Sequence, residues 1–158
     1  MESTPYLKLI DEVTISATDG KSVICGQKEL FRGSIDGNFR DFGLDQPSDS
    51  TPETGVKVFD HIKDGEFNQI FCSFGVSLEV LALTQSQVIE IVKNKRELLS
   101  QNGWDSFFLL QAGHEYFVAS VFCFSGGDLC ILLYRLDSSI VWDGGYGNRV
   151  FVRNLQDA

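Results

Sequence analysis

The chain predicts an α+β fold: a mainly antiparallel, strongly curved sheet, open or barrel-like, with one principal amphipathic helix at about 85–101 packed on one side. Three observations predict it. An apolar stripe at helical spacing runs only through the segment from Gln85 to Gln101. Strand-length apolar segments then follow one another from Ser106 to Val152. The links between them are short, and short links join antiparallel neighbours, because a parallel return needs a crossover of about a dozen residues or more.

A chain of 158 residues, 43% hydrophobic and 22% charged, has the composition of an ordinary globule. The expectation is a single domain over 1–158, with a mobile acidic loop at about 45–55. That loop reads Asp-Gln-Pro-Ser-Asp-Ser-Thr-Pro-Glu-Thr-Gly and has nothing to bury.

The first expected element is a β-hairpin within 6–32. Leu7, Leu9, Val13 and Ile15 precede Asp19-Gly20, a favoured two-residue turn, and Val23 and Ile24 follow it. Asp36-Gly37 gives a second turn signal. After the acidic loop, Val56–Ile62, Ile70–Phe74 and Val76–Leu83 read as strands.

The helix comes next. Val88, Ile91, Val92, Leu98 and Leu99 form its apolar stripe, and Glu90, Lys93, Asn94 and Glu97 its polar face. Thr84 with Gln87 makes a capping-box pattern at the start, and Asn102-Gly103 a left-handed stop at the end.

Beyond the helix, Ser106–Gln111, Glu115–Phe124, Leu129–Leu136, Ile140–Trp142 and Arg149–Val152 read as strands. A two-residue turn at Gly126-Gly127 sets Phe122 opposite Ile131, Val121 opposite Leu132 and Cys123 opposite Cys130. Both faces of this ribbon are then apolar, so it must be covered on both sides. Phe107-Phe108 repeats the pattern, since neighbours in a strand point to opposite faces.

Net charge bounds the partners. Thirteen lysines and arginines against 22 acids give −9. That argues against nucleic acid, whose phosphates demand a basic footprint, and against docking on an anionic membrane. The N-terminus lacks the pattern of a signal peptide, and no apolar run has the length of a membrane span, so the expected location is cytoplasmic. Cys25, Cys72, Cys123 and Cys130 form no C-x-x-C pair and read as reduced, small apolar residues.

No constellation for metal or cofactor chemistry is expected. Paired Cys or His ligands at short spacing are missing. Asp36-Gly37-Asn38-Phe39-Arg40-Asp41 opens like a calcium loop, but puts Arg40 where an oxygen ligand belongs. The glycine-rich stretch Asp143–Asn148 is followed by a strand-like segment, whereas a phosphate cradle opens a helix. Of the two histidines, His114 reads as a turn residue and His61 as a partly exposed residue near Asp60 and Asp64.

The sequence therefore favours a non-catalytic binding or interaction domain that acts through protein–protein contacts. Its expected partner is a second copy, covering the apolar ribbon, or another protein of basic character. The candidate binding residues are Trp142, Tyr146 and Arg149: two aromatics with a polar handle and a guanidinium able to pair with a carboxylate. The alternative is a binder of a small apolar ligand, with a pocket between the helix and the curved sheet. The third reading is an enzyme using His61 with a nearby carboxylate or cysteine.

Overall fold

The computed structural model describes residues 5–101, 103–123 and 126–154. Its frame is a seven-stranded sheet: β1 (Leu7–Ile15), β2 (Ser34–Ile35), β3 (Thr54–His61), β4 (Ser106–Ala112), β5 (Glu115–Cys123), β6 (Leu129–Arg135) and β7 (Arg149–Arg153), in the order β1-β3-β7-β4-β5-β6-β2. Among the described residues four short α-helices accompany it: α1 (Asn38–Asp41), α2 (Phe67–Cys72), α3 (Leu78–Leu81) and α4 (Gln85–Asn94).

The sheet is mixed and open, which corrects the mainly antiparallel, strongly curved expectation. β7 lies parallel to β4, and β2 parallel to β6; the other four pairings are antiparallel. The reason is non-local. The link after β6 does not return the chain to β6's edge. It carries the chain back to the gap between β3 and β4, where β7 runs antiparallel to one neighbour and parallel to the other.

The first 44 residues do not form their own hairpin. β1 pairs with β3 at one edge of the sheet, Leu7 opposite His61 and Ile15 opposite Thr54, with an irregularity between Leu9 and Asp11. β2 closes the opposite edge against Cys130 and Ile131. The connecting segment crosses the sheet and buries Ile24 and Phe31 on the way. Gly20 has φ +77, as a turn glycine should, yet the turn leads to the acidic segment: Thr18 and Thr51 exchange backbone hydrogen bonds of 2.9 and 3.0 Å.

Two expected strands are helices. Phe67, Ile70 and Phe71 are spaced by three and four and are all fully buried along one face of α2. Gln69 Oε1 accepts the Glu66 N–H at 2.9 Å and satisfies a donor at the helix start. Leu78 and Leu81, three apart, lie on α3. In so short a stretch, an apolar run fits either period.

α4 begins as its sequence dictates. The Gln87 N–H donates to Thr84 Oγ1 at 3.2 Å, and the Thr84 N–H to Gln87 Oε1 at 3.0 Å. The helix stops at Asn94, not near 101, and Arg96–Leu98 form a separate 3-10 turn. Gly103 has φ +82; its neighbour Asn102 lies outside the described residues.

The β5–β6 ribbon is apolar on both faces, but its register is one residue from that expected: Val121 faces Ile131 and Phe122 faces Cys130. Strand β5 ends at Cys123 and β6 begins at Leu129, so the connection is longer than two residues; Phe124 and Ser125 lie outside the described residues. A one-residue slip exchanges the faces of a strand. Because both faces here are apolar, the hydrophobic pattern cannot choose between the two registers.

Each face is covered by the chain itself. On the first, Val88, Ile91 and Val92 of α4 join Phe108, Phe117, Ile131 and Phe151 in one cluster. On the second, Phe67, Ile70 and Phe71 of α2 and Leu81 of α3 join Phe107, Leu109, Val118 and Val150. The sheet is thus sandwiched within one copy, and helices pack on both sides rather than one. Among the described residues no helix is long and apolar enough to cross a membrane.

Candidate functional site

Sheet pairing brings three loops to one end of the molecule. Asp60 near the end of β3 and Ser106 at the start of β4 both face Arg149 at the start of β7. The loops before and after these positions, 62–65, 103–105 and 136–148, therefore meet. They are stitched by main-chain hydrogen bonds. Gly65 and Trp142 exchange bonds of 3.1 and 2.9 Å, Gly145 N–H donates to His61 O at 2.9 Å, and His61 N–H to Asn148 O at 2.9 Å. Asp64 Oδ1 accepts the Gly144 N–H at 2.7 Å. Gly144 is required here, because a Cβ would run into the main chain of Ile62 and Lys63.

The three sequence candidates share this end but not one surface. Trp142 is not a strand residue beyond its single bridge to Gly65. Its ring packs inward against Phe67 at 5.2 Å, Phe107 at 4.9 Å and Tyr134 at 5.5 Å. Nε1 of that ring is buried without a hydrogen-bond partner among the described residues. Arg149 is a tie rather than a free cation: it donates to Leu98 O at 2.6 Å and lies 3.8 Å from the Asp60 carboxylate. Tyr146 alone is presented outward, 57% exposed.

Tyr146 has a partner the sequence reading missed. Trp104 lies beside it, with ring centroids 5.5 Å apart and planes tilted by 35°, and is itself exposed. Gly147 lets the indole close down on the loop, since a Cβ there would meet Trp104 Cδ1 at 2.9 Å. Ile62, Ile140 and Val141 are exposed in the same loops. Of the eight large apolar side chains exposed among the described residues, five are thus in this loop end; the others are Leu9, Ile10 and Val76.

His61 is not the partly exposed residue expected from its acidic neighbours. It is 1% exposed, and neither ring nitrogen has hydrogen-bond geometry to any described residue. Alternation along β3 sets it on the same face as Phe59, beneath the 145–148 loop. Burial pushes its pKa below 6.5, and the nearby Lys63 main chain and the charges of Asp64 and Asp143 oppose that only in part. Among the described residues no carboxylate or thiol is hydrogen-bonded to the ring.

Asp105 is the other perturbed group. Burial raises its pKa, and the hydrogen bond from Ser120 Oγ at 2.8 Å partly offsets this. Ser120 is fully buried and its hydroxyl donates to Asp105, so the pair is shut away from solvent. Among the described residues no group of three or more His, Cys, Asp or Glu side chains is arranged to hold a metal ion. Val88, Ile91 and Val92 of α4 pack directly on the sheet in the first cluster, and a recess of about 420 Å³ opens at the start of the helix, between Thr84 and Gln85 and the end of β4 at Leu110 and Gln111. His114 occupies the tight β4–β5 turn and is exposed.

Comparison with known protein families, with curated proteins and with solved structures finds no match to this chain.

Proposed function

We propose that the protein is a non-catalytic interaction module that binds a basic protein segment through this loop end. The observation that carries the reading is the paired, outward-facing Trp104 and Tyr146, held in place by backbone ties at the loop end that also exposes Ile62, Ile140 and Val141. Exposed apolar groups gathered at one place mark interaction surfaces, and tryptophan and tyrosine dominate binding energy at them.

Charge supports a basic partner. Asp64 and Asp143 are exposed in the same loops, and the whole chain carries −9. A surface of that sign accelerates encounter with a positive segment and opposes self-association. Cover for the apolar ribbon comes from the chain's own helices, so the sheet does not call for a second copy.

The test is fluorescence anisotropy with a labelled peptide of alternating leucine and lysine. Binding should weaken by at least about tenfold in the Trp104→Ala/Tyr146→Ala variant, the loss expected for a pair of hot-spot aromatics. That variant leaves the net charge unchanged, so mere electrostatic adsorption would not respond to it. Equal affinity for the variant, or equal binding of a leucine–glutamate peptide, overturns the proposal.

A further inference from the structure

At the opposite edge of the sheet from β1, we infer a second site: a recess beside β2 that binds a small anionic ligand with an apolar body. The recess has a volume of about 420 Å³ and gathers the side chains of Lys28, Arg32 and Arg40 around Phe31, Ile35 and Cys25. Volumes of this order accommodate metabolite-sized ligands.

Its charge runs against that of the molecule. Three of the thirteen basic residues line one recess in a chain of net charge −9. Arg32 has a surface partner, Glu29, at 3.2 Å. The side chains of Lys28 and Arg40 have neither an ion-pair nor a hydrogen-bond partner among the described residues. The one acid in the lining, Asp36, is committed elsewhere: Oδ1 accepts the Asn38 N–H and Oδ2 the Leu133 N–H, both at 3.0 Å. Lys28 and Arg40 therefore face the recess unpaired, and the lining keeps an excess of positive charge, three cations to one carboxylate. An ammonium and two guanidinium groups suit a carboxylate or a phosphate monoester.

The wall specifies the rest of the ligand. Ile35 and Cys25 are half-buried and present the apolar surface, with Phe31 buried beneath them. These surfaces favour an aromatic or short aliphatic body attached to the anion over a bare inorganic ion. β2 is three strands from β4 in the sheet order, so this site stands independently of the aromatic loop end.

The experiment titrates the protein with 1-naphthyl phosphate and with 1-naphthoate, using inorganic phosphate and 1-naphthol as comparators. Calorimetry and the thermal midpoint are read on the unaltered chain and on Lys28→Gln/Arg40→Gln. Both positions are exposed, so the variant should keep the unliganded midpoint. Cys25 supplies a local reporter: bound ligand should slow its alkylation by iodoacetamide, while Cys72, which is remote from the recess and exposed, should react unchanged.

At least one of the two naphthyl anions should bind and raise the midpoint, as mass action requires. Its affinity should fall by about tenfold or more in the variant, equivalent to about 1.4 kcal/mol. Failure of both anions to bind overturns the proposal. Undiminished affinity in the variant, unprotected Cys25, or equal binding of inorganic phosphate also overturns it.

Discussion

Asp36 reaches Leu133 across 97 positions of sequence: its Oδ2 accepts the Leu133 N–H at 3.0 Å. β2 pairs with β6 only at Cys130 and Ile131, so the next outward-facing amide of β6 would otherwise lack a strand partner. The carboxylate continues the edge where the backbone stops. Edge amides are a liability unless they are paired or covered.

Replacing Asp36 by alanine should therefore cost about 1–3 kcal/mol, the penalty for stranding partly buried donors. Asp36→Asn keeps one carbonyl acceptor and should lose less. Urea unfolding midpoints at neutral pH decide the order, and equal stability of the alanine variant and the parent would refute this role.

His61 gives the molecule a pH-dependent stability whose sign is fixed by burial. Its folded-state pKa lies below the unfolded value of 6.5, so the unfolded chain binds the proton more readily. The contribution is fully present above about 6.5 and declines as pH falls from there towards the lowered folded value. His61→Leu removes the proton site and its unpartnered nitrogens. Its stability should change less between pH 7.5 and pH 5.5 than the parent's, as read by chemical denaturation at matched ionic strength. Parallel pH profiles would show that His61 is not the group responsible.

Phe67 is the hub of the second cluster. Its ring meets Phe107 at 5.0 Å, Trp142 at 5.2 Å and Tyr134 at 5.7 Å, joining α2 to the sheet and to the 136–148 loop. Phe67→Ala should cost about 3–5 kcal/mol, the usual range for deleting a buried aromatic ring. Because Trp142 loses a stacking neighbour, its emission should also shift to longer wavelength in the folded variant. A loss below about 1 kcal/mol would mean that the layer collapses around the gap.

Gly144 positions the aromatic loop end. Gly144→Ala drives a methyl group into the Ile62–Lys63 main chain, and the loop must move to accept it. A cost of about 1–3 kcal/mol follows from such overpacking. Peptide binding should weaken as well, since the same loop carries Tyr146. Unaltered stability together with unaltered binding would show that the loop's place is not set by this approach.

Local chemistry was legible in the sequence where it acts over a few residues. The Thr84–Gln87 cap, four of the five strand segments expected after Ser106 (Ile140–Trp142 being a loop with a single bridge) and the opposed directions of Phe107 and Phe108 all follow from neighbours in the chain. What could not be read depends on distant partners. Nothing in Arg149–Arg153 announces that it separates β3 from β4, and the doubly apolar β5–β6 ribbon admits two registers equally well. The 67–81 stretch misleads because its apolar residues satisfy either period over such short spans.

The candidate site divides along the same line. Tyr146 and the glycine-rich loop could be picked out by composition, whereas Trp104 becomes its partner only through the β4–β7 pairing. Arg149 looks like a free cation until Leu98 O is seen to hold it. The acidic surroundings of His61 suggest exposure, and the loop that buries it lies more than 80 residues later.

The position of β7 has a consequence for synthesis on the ribosome. The β1–β3 ribbon and the β4–β5–β6 meander emerge first, each with a raw margin that only the last strand can join. Until Arg153 has cleared the exit tunnel the two halves have no backbone seam between them, so the nascent chain carries two unmated flanks from the synthesis of β4 until β7 emerges. Such flanks recruit other chains. A stalled product lacking the welding strand would be a sticky intermediate.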